Sequence, residues 1–257
     1  LVGSEMCIRD RLTTDSDPYN PGLHTCKIWT YKDVLPDNKV PVFRHYLDQV
    51  LRGTRINNDL KTFSINGETV KLAGGAARHN YIKIWTVFDH PEYYYQTQDT
   101  VYDWYQRQIK QDLEPALRYL VDSVEQHVDI CKQIGPVICM RFFINYFPAP
   151  ECMQPHTDGE KFLYNLDLEQ GDLWSATYYL QVPKNGGELW FPGHDFEYKP
   201  SVNSLAIFNG NKFLHGVKGV PEGDLDRISI TLRYASVKDL TLPGHPDKFL
   251  YKPNFAQ

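Results

Sequence analysis

Long apolar runs are missing from this sequence: nowhere in its 257 residues is there a stretch near the roughly 20 consecutive apolar residues that a membrane-crossing helix needs. Blocks of basic residues are missing too. With 27 Lys and Arg against 32 Asp and Glu, a formal net charge of -5 and no basic cluster, nucleic acid is not expected as a main partner. Cysteine is sparse. Cys7, Cys26, Cys131, Cys139 and Cys152 are odd in number, lack the spacing of a metal site and sit mostly among apolar neighbours. They read as reduced core thiols and predict a cytoplasmic protein. A phosphate-cradling loop is absent as well, because Gly74-Gly75-Ala76-Ala77-Arg78 lacks the Lys-Ser/Thr ending and the strand-to-helix setting that this chemistry requires.

What is present is enough apolar material for a substantial core, 42% hydrophobic and 14% aromatic, in a length that all-β barrels commonly reach as one domain. Residues 1–11 stand apart. Leu-Val-Gly-Ser-Glu-Met-Cys-Ile-Arg-Asp-Arg resembles a translated sequencing-adaptor remnant and is excluded from the fold. It does not read as a signal peptide, since Glu5 interrupts any apolar core and no basic start precedes it.

His24 to Tyr31 reads as a strand, and Asp37 as the cap of a helix whose apolar positions Val40, Phe43, Leu47 and Val50 recur at helical spacing until Gly53. Thr62 to Leu72 reads as a hairpin turned by Asn66-Gly67, the strongest short hairpin signal in the chain. Tyr81 to Phe88 reads as a further strand. Between Asp99 and Lys132, Val101, Trp104, Tyr105, Ile109, Leu113, Leu117, Leu120, Val121, Val124 and Val128 form one helical stripe, with Pro115 expected to kink or divide it. The stripe reads as core.

The chemistry-bearing residues come later. His156-Thr157-Asp158 is followed by His215 and then by Arg227-Ile228-Ser229. A His-x-Asp alone says little, being common in surface loops. Its context says more. His215 comes after the apolar run Ser204-Leu205-Ala206-Ile207-Phe208 and a turn at Asn209-Gly210, so it begins a return strand. From Arg227 to Tyr234 the residues alternate, with Arg227, Ser229, Thr231 and Arg233 on one face and Ile228, Ile230 and Leu232 on the other. Two imidazoles and one carboxylate on one side of a first-row metal leave open positions for oxygen and a chelating cosubstrate. His194-Asp195 is a poorer pair, since adjacent side chains diverge. His24, His45, His79, His90, His127 and His245 are isolated and read as surface or hydrogen-bonded histidines.

This order of residues resembles the iron(II)- and 2-oxoglutarate-dependent oxygenases, specifically their prolyl-4-hydroxylase-like branch, over roughly residues 136 to 237. The resemblance implies a mainly β fold with flanking helices, a double-stranded β-helix (jelly-roll, cupin-like) barrel. It assigns His156, Asp158 and His215 to Fe(II), and Arg227 and Ser229 to the far carboxylate of 2-oxoglutarate. Tyr146 in Asn145-Tyr146-Phe147-Pro148 and Tyr179 in Thr177-Tyr178-Tyr179-Leu180 match the family's pocket tyrosines. Asn185-Gly186-Gly187-Glu188-Leu189 matches a further family segment. The chain is then one oxygenase domain over 12–257, with N-terminal strands and supporting helices in 12–135, the catalytic barrel core in 136–237 and a tail in 238–257.

The implied reaction is hydroxylation of an unactivated C–H bond with O2 and 2-oxoglutarate consumed. The substrate is either a prolyl residue in a protein or peptide, or a small amino-acid-like acid; a non-catalytic cupin-like binding barrel is the alternative. The segment Gly159 to Asp172, acidic and aromatic, reads as a lid or as a plain solvated connection. Arg233 departs from the hypoxia-type hydroxylases, which carry Trp there. Lying about 20 Å beyond Arg227 at about 3.3 Å per residue, it is expected past the iron, facing either a substrate carboxylate or an acid such as Glu188.

Overall fold

A period of two in the sequence becomes two opposite environments in the strand Arg227–Ser236 (β12): Ile228, Ile230, Leu232 and Tyr234 are buried on one side, and Arg227, Ser229, Thr231 and Arg233 lie on the other. The computed structural model describes residues 28–45, 62–65, 68–73, 80–86, 115–128, 137–147, 149–150, 152–158, 173–194 and 196–236. The expected adaptor remnant, the loop at Gly74, the first half of the long helix, the segment Gly159 to Asp172 and the tail lie outside these residues.

Strand β12 sits near the middle of an eight-stranded antiparallel sheet. The others are Ile28–Tyr31 (β1), Thr62–Ile65 (β2), Glu68–Ala73 (β3), Asn80–Thr86 (β4), Val137–Phe147 (β5), Leu173–Gln181 (β7) and Ser204–Asn209 (β10). They run in the order β1-β10-β7-β12-β5-β4-β3-β2. A second sheet is built from Met153–His156 (β6), Leu189–Phe191 (β8), Phe196–Tyr198 (β9) and His215–Val217 (β11), in the order β6-β11-β8-β9. Two sheets whose strands alternate in sequence make the double-stranded β-helix anticipated above. The 62–73 hairpin is present, with Ile65 opposite Glu68 as a two-residue connection requires.

Between the sheets lies a core of Ile28, Tyr179, Leu189, Phe191, Ala206, Phe208 and Phe213. Phe191 meets Phe208 edge to face with ring centroids 5.3 Å apart. The outer face of the large sheet is covered by helix. In the helix Pro115–Val128, Leu117, Leu120, Val121, Val124 and Val128 are fully or almost fully buried on one stripe, each contributing about 1.5–3 kcal/mol by area removed from water. Helical turns at residues 40–45 deliver Phe43 edge-on to Tyr178, and His127 stacks on Tyr31. No helix among the described residues is long and apolar enough to cross a membrane. Cys139 and Cys152 carry no disulfide.

Candidate metal centre and anion site

His156 ends β6 and His215 begins β11, and the pairing of these strands sets the two residues directly opposite each other. Opposed residues share a face of a sheet, so the rings meet, 4.5 Å between centroids. Each Nδ1 lies 2.9 Å from a backbone carbonyl, Gln154 O for His156 and Phe213 O for His215. A carbonyl only accepts, so Nδ1 carries the proton and each Nε2 keeps its lone pair for a metal. Both Nε2 atoms lie 3.7 Å from the same oxygen, Oδ1 of Asp158. The three donor atoms all fall within 4.8 Å of one another, and no other such cluster exists among the described residues.

Asp158 is held from several sides. Its N–H donates to Gly210 O at 2.8 Å. The Ser175 hydroxyl donates to Oδ2, and a guanidinium nitrogen of Arg233 donates to Oδ1. Burial alone would raise the pKa of this carboxyl; the charge of Arg233, then His215, the Ser175 hydrogen bond and His156 outweigh it and hold the pKa below the usual carboxylate range. Burial pushes His215 down, keeping it neutral and able to ligate. Gly210 is required here, since a Cβ would lie 2.0 Å from Asp158 Oδ2.

Arg227 lies deeper on the same face and is 2% exposed. Its Nε donates to Gly187 O at 3.1 Å and Nη1 to Ser229 Oγ at 2.9 Å. The rings of Phe147 and Tyr179 lie 5.2 and 5.0 Å from its guanidinium carbon. No acid pairs with it among the described residues, and burial lowers its pKa. Gly187 adopts φ +71° beside it, and a Cβ there would meet Pro183 at 2.8 Å and Arg227 Cδ at 3.3 Å. The Tyr179 hydroxyl is buried beside Arg227 with no well-formed hydrogen bond among the described residues, and burial, opposed by the Arg227 guanidinium, pushes its pKa up to about 12.

Three polar residues that the sequence did not single out as site residues lie on the same face between the two arginines. Asn145 Nδ2 donates to Thr231 Oγ1 at 3.0 Å, and Thr231 lies 3.1 Å from Thr177 Oγ1. Strand register sets Thr177 on β7 opposite Thr231 on β12, and Asn145 on β5, opposite Ser229, reaches Thr231 diagonally.

Two expectations change. Tyr146 pairs with Ile228, so it belongs to the face opposite Arg227, and its hydroxyl donates to Asp226; Phe147 and Asn145 take the inner positions. Arg233 reaches the metal centre instead of passing it, and the acid it pairs with is Asp158, the carboxylate of that centre.

No protein-family model and no curated protein matches the chain. Solved structures do. AviO1 from Streptomyces viridochromogenes Tue57 aligns with a TM-score of 0.50 at 11% identity, over 81% of this chain and 89% of that one. A Pseudomonas putida prolyl-4-hydroxylase gives 0.49 at 13%, over 81% and 91%. A Trichoplax adhaerens prolyl hydroxylase in complex with a hypoxia inducible factor oxygen degradation domain peptide fragment gives 0.48 at 18%, over 83% and 85%. At 11% identity the likeness to AviO1 concerns the fold alone. The molecule is a double-stranded β-helix barrel with a two-histidine, one-carboxylate centre at one end of its trough and, at the other, a buried arginine with no acid partner among the described residues.

Proposed function

We propose that this protein is an Fe(II)- and 2-oxoglutarate-dependent dioxygenase that hydroxylates an unactivated C–H bond while 2-oxoglutarate and O2 become succinate and CO2. The observation that carries the proposal is the pairing, in one trough, of the His156, Asp158 and His215 donor set with Arg227, a fully buried cation that no acid neutralises among the described residues. The donor set fits iron, with two imidazole lone pairs and one ionised carboxylate aimed at a common point. Bound there, the metal would supply oxygen activation and open positions for a keto acid.

The chain's own residues do the rest. Arg227 binds the distal carboxylate of 2-oxoglutarate through its planar fork. Ser229 orients that fork, and the Tyr179 hydroxyl offers a further donor to the same carboxylate. Phe147 and Tyr179 flank the guanidinium and exclude water, which strengthens the ion pair. Gln154 O and Phe213 O hold the histidines in the ligating tautomer, while Ser175 and Gly210 fix the carboxylate. The Asn145, Thr231 and Thr177 row forms a polar floor between the anion end and the metal end. The substrate is a prolyl residue in a peptide or protein, or a small amino-acid-like acid.

Succinate release tests the reading. The protein with Fe(II), O2 and 2-oxoglutarate is screened by mass spectrometry against a metabolite library and a proline-peptide library, and a product heavier by one oxygen, formed with succinate, is expected from one of them. Tight binding of 2-oxoglutarate with no succinate under any condition would instead make the barrel a binding protein.

A further inference from the structure

The Asp158 oxygen that faces both histidine Nε2 atoms is the oxygen that Arg233 holds. The other carboxylate oxygen is engaged by Ser175. A divalent ion at the triad and the Arg233 guanidinium therefore draw on one atom, and their charges repel across it. Arg233 is not sealed in. Its side chain is 14% exposed and its guanidinium carbon lies 5.0 Å from the Phe143 ring, whose face supports a planar cation in more than one rotation. The deeper Arg227 already serves the other end of the trough.

We infer that Arg233 couples the metal to an anionic substrate: a carboxylate entering the trough draws the guanidinium away from Asp158 Oδ1, and the metal then binds more tightly. A carboxylate is the ligand class indicated, because the fork already grips one and would exchange like for like. The coupling is reciprocal, so the metal in turn raises carboxylate affinity. This rests on the oxygenase reading and narrows its substrate to an acid over a prolyl residue within a chain.

The test reads Mn(II) binding by calorimetry, without turnover, in the wild type and in Arg233→Gln, with a panel of N-acetylated amino acids and the matching amides. In the wild type at least one acid is expected to raise Mn(II) affinity about tenfold, a typical coupling size, and its amide is not. In Arg233→Gln, Mn(II) binds about tenfold tighter from the start and the acid adds nothing. The inference is overturned if Arg233→Gln binds Mn(II) no better than the wild type, which would make Arg233 a positioning residue for Asp158. It is also overturned if no acid helps, if amides help equally, or if the acid effect survives in Arg233→Gln through direct contact with the metal. Should Arg233→Gln fail to fold, Arg233→Lys is read: it keeps the charge but not the fork, so Mn(II) affinity stays within about threefold of the wild type while the acid effect shrinks. Loss of succinate formation with the Mn(II) results intact would sink the oxygenase reading and leave the coupling standing.

Discussion

Arg227 and Arg233 are the same residue type, six positions apart on the same face of the same strand, and they live in opposite electrostatic conditions. Arg227 is sealed between two aromatic rings and, among the described residues, donates only to neutral acceptors, Gly187 O and Ser229 Oγ. Arg233 is partly exposed and paired with a buried carboxylate. An unneutralised buried cation is costly unless something supplies the missing charge, and among the described residues no acid does so for Arg227, which is why the deep end of the trough is the proposed anion site. The shallow end already has its charges balanced internally and is built for exchange among them. That contrast separates an anion site from a metal centre on one face of one strand.

The widest gap between the two ends comes from removing a metal ligand. His156→Ala or His215→Ala leaves two donors and is expected to lower Mn(II) affinity by at least about a hundredfold in calorimetry, with the circular dichroism of the barrel little changed. Retained affinity in either variant would break the metal assignment.

Arg227→Met probes the other end. Affinity for 2-oxoglutarate should fall by about 3–5 kcal/mol, the cost of stripping one partner from a buried pair. In urea without 2-oxoglutarate the variant should unfold no earlier than the wild type, since it also removes an uncompensated buried charge. A variant that loses stability but keeps 2-oxoglutarate affinity would reverse the roles of the two arginines.

Gly210→Ala is a smaller perturbation confined to the shallow end. The new methyl would overlap Asp158 Oδ2 and Ser175 Oγ, at 2.0 and 2.6 Å, and should weaken Mn(II) binding about tenfold, the size seen when a ligand loses its support. 2-Oxoglutarate affinity, measured in the absence of metal, should not move.

Acid provides the gentlest test. His215 has its pKa lowered by burial, and His127 likewise, so below the ordinary value of 6.5 the unfolded chain binds protons that the folded chain refuses. Stability from these groups is complete above 6.5 and declines as pH falls from there toward the folded values; Asp158, also depressed, extends the loss at lower pH. The urea midpoint should therefore fall steadily from pH 7 to pH 5, less steeply in His215→Asn. A midpoint that rises on acidification contradicts this sign.

The ligand order, the Arg-x-Ser and the alternation of β12 were legible in the sequence because each is a local pattern: a short motif, or a period of two over one strand. Facing and pairing were not. Whether Tyr146 or its neighbours line the trough depends on the register of β5 against β12, and a shift of one residue reverses every side chain; Ile228 opposite Tyr146 puts Asn145 and Phe147 inside. Arg233 was misplaced for a related reason. Distance along a strand says nothing about which loop folds back to meet it, and its partner Asp158 lies 75 residues earlier. The polar row of Asn145, Thr231 and Thr177 joins three strands and carries no signature within any one of them.

The most direct test of the account is succinate formation by the protein supplied with Fe(II), 2-oxoglutarate and O2, measured beside His215→Ala and Arg227→Met. Succinate that requires all three components is expected in the wild type, none in His215→Ala, and in Arg227→Met a rate restored only at much higher 2-oxoglutarate. Succinate at equal rates in all three proteins, or none in a wild type shown to bind both Fe(II) and 2-oxoglutarate, would contradict it.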